Sequence, residues 1–221
     1  MFMSAADYRE SLRRYRPRVF LNGQAVESVA DEPLLAPGVN AVGVSYDFAL
    51  RPEHAALMTA RQGTSGKTVN RMLHINETTT DLLYKLEAVR LLCREVGCAQ
   101  RYLCHDALNG IFQATRRTDD THGTAYHQRL LAYMHYIQDE DLTFGIAMTD
   151  AKGDRSKRPG AQANPDVYVR IAERRPDGIV IRGTKAIVTG APYMHEFLVM
   201  PCRTKTPTTP FAAPCRSMRR A

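Results

Sequence analysis

Four groups of residues combine types and spacings that could do chemistry. In Lys152-Gly-Asp-Arg155, two cations and a carboxylate surround a glycine that permits a turn with exposed backbone N–H groups, a setting suited to a charged ligand. Cys98, Arg101, Tyr102 and His105 fall at i, i+3, i+4 and i+7, so a helix would present them on one face as a polar wall. Packing alone would equally place a cysteine and a histidine there. Cys104 lies six residues beyond Cys98, about 120° around such a helix, so the two thiols converge poorly on one metal. Arg182-Gly-Thr-Lys-Ala-Ile-Val-Thr-Gly190 offers the hydroxyls of Thr184 and Thr189 between glycines. Gln62-Gly-Thr-Ser-Gly-Lys-Thr68 looks like the end of a phosphate-binding loop. However, Arg61 stands where that pattern needs glycine and no strand precedes it, so it reads as an ordinary polar loop.

The elements that must position these groups divide along the chain. Ser4 with Asp7 reads as a capping box for a helix that Pro17 stops, and Asn22-Gly23 as the turn of a small hairpin. Helices are expected over Val39 to Leu50 and from Pro52 to Arg61. Thr80-Asp81 should cap the most regular helix, whose stripe Leu82, Leu86, Val89, Cys93 and Val96 should face a core until Gly97 ends it. Two more helices are expected, from about Ala99 to Thr115 and from Thr124 to about Gln138. From Leu142 the pattern turns to short strands: Leu142 to Thr149, Val167 to Ile171, Gly178 to Ile181, Lys185 to Thr189 and Phe197 to Met200. Helices first and strands second predict an α+β chain, with a helical domain over 1–140, a partial β domain over 141–202 and an irregular basic tail over 203–221.

The formal charge of +7 is mostly a property of that tail. Arg203, Lys205, Arg216, Arg219 and Arg220 all lie after residue 202, with no acidic residue among them. The near-neutral body carries no interleaved aromatic and basic platform, which argues against nucleic-acid binding. No apolar run approaches the length of a membrane span, and the N-terminus lacks a secretory pattern. Five cysteines with no paired spacing suit reduced thiols, and a cytoplasmic location is the expectation.

Several stretches together carry a resemblance to a known family. They are Ala147-Met-Thr-Asp-Ala-Lys-Gly-Asp-Arg155, Asn164-Pro-Asp166, Asp177-Gly-Ile-Val180, Arg182-Gly-Thr-Lys-Ala186, Thr189-Gly190, His195-Glu196 and Met200-Pro201. Arg18-Val-Phe20, Asn22-Gly23, Gly66-Lys-Thr68, Asn70-Arg71 and Asp106-Ala-Leu-Asn109 extend the match to about residue 202. The chain resembles the flavoprotein family of 4-hydroxyphenylacetate 3-hydroxylase and 4-hydroxybutyryl-CoA dehydratase. The wording of Ala147 to Arg155 is nearer the dehydratase.

The resemblance implies an acyl-CoA-dehydrogenase-like fold, assembled as a homo-oligomer, with FAD against the β domain. Ala147, Met148, Thr149, Lys152, Gly153, Asp154, Arg155 and Thr189 would contribute to that cofactor site. Arg101 and His105 match an arginine and an aromatic acid–base residue that orient the phenol in the hydroxylase branch. With Gln100 they are the expected substrate-facing residues. The hydroxylase's histidine ahead of the flavin loop is Ile146 here. In the dehydratase branch a [4Fe–4S] cluster takes two cysteines at Cys-x3-Cys. Cys98 matches the first and Tyr102 stands at the second, so the expectation is FAD without the cluster, with Cys98 the single metal candidate.

The implied reaction is that of an FAD-dependent monooxygenase-type oxidoreductase on a small molecule, with a partner reductase supplying reduced flavin. The alternative is a lyase on an acyl-CoA, and a third reading is a non-catalytic fragment. The resemblance also implies a C-terminal helical bundle, and the expectation is a truncated member without it, its tail a frameshifted end.

Overall fold

The computed structural model describes residues 2–200 and the backbone of 213–216. Helix α1 (Ala5–Arg14) starts at a capping box, in which Ser4 Oγ accepts from the Asp7 N–H and Asp7 from the Ser4 N–H. The hairpin β1 (Val19–Leu21) and β2 (Gln24–Val26) turns at Asn22 and Gly23, whose φ values of 50° and 82° are those of a two-residue primed turn. Helix α2 (Ala36–Leu50) admits Pro37 in its first turn, where no hydrogen bond is lost. Helix α3 (Pro52–Met58) is shorter than expected. Residues through Arg61 leave it as strand β3 (Thr59–Arg61), which pairs antiparallel with β4 (Thr68–Asn70).

The loop between those strands is not a phosphate cradle. The Gly63 N–H donates to Glu77 at 2.9 Å, and Lys67 pairs with Asp139 at 2.6 Å. A carboxylate thus occupies the donor that a phosphate would need.

Helix α4 (Thr79–Val96) is capped by Thr78 rather than Thr80, because Asp81 sits at the third position and closes a second capping box. Gly97 ends it at φ 72°. The expected buried stripe faces outward: Leu82 and Leu86 are 47% and 49% exposed, and Cys93 is exposed. The side that meets α2 and α3 carries Ala88 and Leu92, which are buried with Phe48, Met58 and Met72.

Helices α5 (Tyr102–His122) and α6 (Tyr126–Asp139) cover a core of Leu73, Ile75, Leu108, Met134 and Ile137. Into the same core come Leu142, Phe144 and Leu198 of the strand region. Strand β5 (Phe144–Ala147) pairs parallel with β8 (Glu196–Val199). The connection between them carries the antiparallel hairpin β6 (Arg170–Arg175) and β7 (Gly178–Arg182). Lys185 to Thr189, expected as a strand, is irregular, because Ile187 takes a left-handed φ of 55° that no strand tolerates. Strand β9 (Ala213–Arg216) adds antiparallel to β8, within the tail expected to be irregular. The rest of that tail, with Cys202, lies outside the described residues.

The inward face of α4 yields a direct comparison. Leu92→Ala should cost about 2–5 kcal/mol, whereas Leu86→Ala should stay within about 0.5 kcal/mol, in urea unfolding of the two variants. Equal losses would contradict the observed orientation of the helix.

Candidate functional site

The single helical face of Cys98, Arg101, Tyr102 and His105 does not form. Gly97 breaks α4, residues 98–101 make the connecting turn, and Arg101 is the cap of α5, so Tyr102 and His105 alone lie on the helix. Cys98 and Gln100 sit half-buried in that turn.

Arg101 is fully buried. Its Nη2 donates to Asp141 Oδ1 at 2.8 Å and to the Leu142 carbonyl at 3.2 Å, and its guanidinium lies 4.0 Å from the centre of the Tyr46 ring. Asp141 also accepts the Met3 N–H at 3.2 Å. Burial raises the Asp141 carboxyl, opposed by the Arg101 charge. Burial likewise disfavours the Arg101 cation, but its interactions with Tyr46 and Asp141 outweigh that and hold its pKa above the ordinary arginine value. Among the described residues, Arg101 Nε and Nη1 and the Tyr46 hydroxyl have no hydrogen-bond partner.

His105 is buried one turn into α5, with Nε2 3.0 Å from Asn76 Oδ1. Burial and then the Lys85 charge push its pKa down to about 4, so the ring is neutral near pH 7. Nε2 also lies 3.5 Å from the Asn109 side-chain nitrogen, so its role as donor or acceptor depends on the tautomer, and Nδ1 faces the Asp106 carboxylate at 3.6 Å.

Cys104 points elsewhere. Its thiol donates to the Phe144 carbonyl at 2.7 Å, and burial pushes its pKa up. It is a neutral tie between α5 and β5. No group of three or more His, Cys, Asp or Glu suited to a metal ion occurs among the described residues. One half-buried thiol, Cys98, beside Tyr102 does not by itself make the donor set of an iron–sulfur cluster.

The second half of the site lies where β5 ends. Ala147 is buried and supports the strand, its carbonyl accepting the Met200 N–H, while Met148 and Thr149 emerge exposed. An antiparallel bridge joins Asp150 to Lys185, and the Ala186 N–H donates to the Thr149 carbonyl at 2.9 Å. Thr189, also exposed, follows on that segment. A Cβ placed on Gly190 would meet Gln100 Nε2 at 2.8 Å, so Gln100 lies against the segment that carries Thr189. One segment thus meets Thr149 at Ala186 and Gln100 at Gly190, with Thr189 between them in sequence.

The charged loop is more self-contained than expected. Asp154 accepts from the Ser156 N–H and hydroxyl and pairs with Lys157, interactions that hold its pKa low. The Asp154 N–H donates to Gln162 Oε1, so that backbone donor is already used. Gly153 is required for close approach rather than for a positive φ, since a Cβ there would sit 2.5 Å from Gln162 Oε1. Lys152 and Arg155 remain exposed. Exposed Thr149 next to apolar Met148, and exposed Thr189 on the segment tied to them, with cations close by in sequence, form a donor set compatible with the polar edge and apolar faces of a flavin ring.

Sequence reasoning missed Asp141, Tyr46, Lys185 and Ile187. Asp141 has no local signal, because its partner lies 40 residues earlier. Lys185 and Ile187 were hidden in what read as an ordinary strand.

Comparisons with known proteins bear on this arrangement. Residues 4–215 match the family model described as 4-hydroxyphenylacetate 3-hydroxylase N terminal. The chain is 43% identical over 202 residues to the 4-hydroxybutyryl-CoA dehydratase/vinylacetyl-CoA-Delta-isomerase of Clostridium aminobutyricum, covering 91% of this chain and 41% of that protein. It is 26% identical, with the same coverage, to the 4-hydroxyphenylacetate 3-monooxygenase oxygenase component of Thermus thermophilus. Among solved structures it is similar to an oxygen-tolerant archaeal 4-hydroxybutyryl-CoA dehydratase from N. maritimus, with a TM-score of 0.87 and 40% identity over 93% of this chain and 41% of that one. The oxygenase component of 4-hydroxyphenylacetate 3-monooxygenase complexed with FAD and 4-hydroxyphenylacetate superposes with a TM-score of 0.80 at 23% identity, over 97% of this chain and 45% of that one. The expected acyl-CoA-dehydrogenase-like fold therefore holds, and the chain spans about 41% of the length of the curated relatives it matches.

The depressed pKa of His105 sets a pH dependence. Between the ordinary 6.5 and about 4 the unfolded chain binds a proton that the folded chain does not, so stability is full above 6.5 and is lost as pH falls toward 4. His74, also lowered by burial, acts in the same direction. Denaturant midpoints from pH 7 to 4.5 should fall, and His105→Gln should flatten the slope by up to about 1.4 kcal/mol per pH unit. Coincident profiles for the two proteins would refute the assignment.

Proposed function

The chain belongs to the 4-hydroxyphenylacetate 3-hydroxylase N-terminal family, and from that membership we propose that it forms the flavin-facing wall of an FAD-dependent oxidoreductase acting on a small organic substrate. The observation that carries the reading is that exposed Met148 and Thr149 leave the end of β5 tied at Ala186 to the segment that carries exposed Thr189, with Gln100 against Gly190. The Thr149 and Thr189 hydroxyls would hydrogen-bond the polar edge of the ring, and Met148 would support its apolar face. Lys152 and Arg155 would attract the anionic part of the cofactor. When bound, FAD supplies the electron-transfer chemistry, with reduced flavin coming from a separate reductase.

Gln100 is the residue of this chain nearest to where a substrate would lie. Arg101, through Asp141, holds the turn that carries it, and neutral His105 lies one turn further along, in α5. This arrangement favours oxygenation of an ionisable small molecule, the monooxygenase-type reading.

A second reading is specifically supported. Identity of 43% to a 4-hydroxybutyryl-CoA dehydratase, against 26% to a hydroxylase component, favours a lyase on a hydroxyacyl-CoA. That identity also removes the ground for setting an iron–sulfur cluster aside, although Tyr102 occupies the place expected for its second cysteine.

The visible spectrum of the purified chain reconstituted with FAD separates the readings. Flavin bands alone favour the oxidoreductase, flavin bands with added broad iron–sulfur absorption favour the lyase, and a well-folded protein that takes up no flavin would sink both for this chain. Thr189→Val should weaken FAD binding about fivefold to tenfold, the loss of one hydrogen bond, in a fluorescence-quenching titration.

A further inference from the structure

Lys185 is the most completely engaged cation of the wall, and the flavin reading gives it no part. Its side chain and that of Asp150 are each 8% exposed. The ammonium donates to the Met148 carbonyl at 2.8 Å, to the Asp150 carboxylate and to the Met200 carbonyl. Three donors meet three acceptors, which leaves no proton free for a ligand and no lone pair for nucleophilic chemistry. Two of those acceptors follow β5 and the third follows β8, so one nitrogen ties the exits of both parallel strands to the segment between Gly183 and Gly190. A planar guanidinium could not aim three donors from one point in this way.

Two sets of backbone bonds surround this nitrogen. The Ala151 N–H donates to the Thr184 carbonyl and the Ala186 N–H to the Thr149 carbonyl, while the Met200 N–H donates to the Ala147 carbonyl. Met148 and Ile187 are the next residues beyond the bond between Thr149 and Ala186. These are two large apolar residues exposed by 49% and 84%. Ile187 is also in the left-handed region at φ 55°, a strained conformation for a β-branched residue, and its exposed side chain gains no core contact in return. Gly183, four residues earlier, runs close against the chain at Tyr168, where a Cβ would lie 2.4 Å from the Tyr168 carbonyl. The backbone is pinned on both sides of the strained residue.

We propose that Lys185 is the positioning residue of the flavin wall. Its ammonium clamps the exits of β5 and β8, and the clamp holds Ile187 in its left-handed conformation so that Ile187 and Met148 stand side by side as an apolar ledge. The ligand assigned to that ledge rests on the flavin reading, whereas the clamp is a property of the polypeptide alone.

The test uses the full chain, wild type against Lys185→Met and against Lys185→Met with Asp150→Asn, which removes the buried carboxylate left without its partner. Without ligand, the Ala151, Ala186 and Met200 amides should exchange with deuterium about tenfold faster in both variants, with helical amides within about twofold. Ile187→Gly should raise the melting temperature by a few degrees in the wild type, and not in the Lys185→Met background, where the strain is already released. Unchanged exchange at those amides, faster exchange throughout the double variant, or equal stabilisation by Ile187→Gly in both backgrounds would each overturn the clamp. FAD titration separates the two readings. If the wild type binds FAD and the double variant binds within about twofold of it, the positioning role is refuted. If the wild type binds none, the flavin reading fails while the exchange and melting results still decide the clamp.

Discussion

The ion pair between Arg101 and Asp141 is the constraint on which the rest of the arrangement depends. It joins the cap of α5 to the junction between α6 and β5, beneath Tyr46 of α2 and with the Met3 N–H on the same carboxylate. Four separate parts of the chain therefore meet at one guanidinium. A buried pair of this kind adds little net stability over apolar packing, because both charges lose water. Its value lies in the expense of the alternatives. Any packing that separated the partners would leave a charge buried alone, so the entry of α5 and the start of β5 have one permitted relation.

That relation fixes what reaches the candidate site. Because Arg101 is the last residue of the turn, Gln100 must fall just outside the core, and it does so against Gly190. Because β5 begins three residues after the held Asp141, its four residues end at Ala147, and the chain emerges into solvent at Met148. Cys104 and His105 reinforce the placement from α5, one through the Phe144 carbonyl and the other through Asn76. Polar groups that could act on a substrate are thus also the groups that hold the scaffold.

The relatives share the fold but act on different substrates, which places the choice of chemistry in a few side chains rather than in the architecture. The wall proposed to face a flavin is built largely from backbone geometry and hydroxyls, features that tolerate a change of reaction.

The sequence by itself determined what local chemistry can determine. Ser4 with Asp7 and Thr78 with Asp81 satisfy orphan N–H groups within one turn. Asn22-Gly23 tolerates positive φ, and Gly97 stops a helix, each without help from distant residues. The family motifs around Ala147 to Arg155 were equally legible, because they are contiguous. Only the tertiary structure decided which face of α4 is buried. The stripes through Leu86 and through Leu92 are both apolar and lie on different sides of one helix, and periodicity cannot say which side meets α2 and α3. It likewise decided that Arg101 serves Asp141, that Lys185 binds two strand exits and that Ile187 is strained. Each of these depends on partners brought together across long stretches of chain, and a single sequence carries no term for that distance.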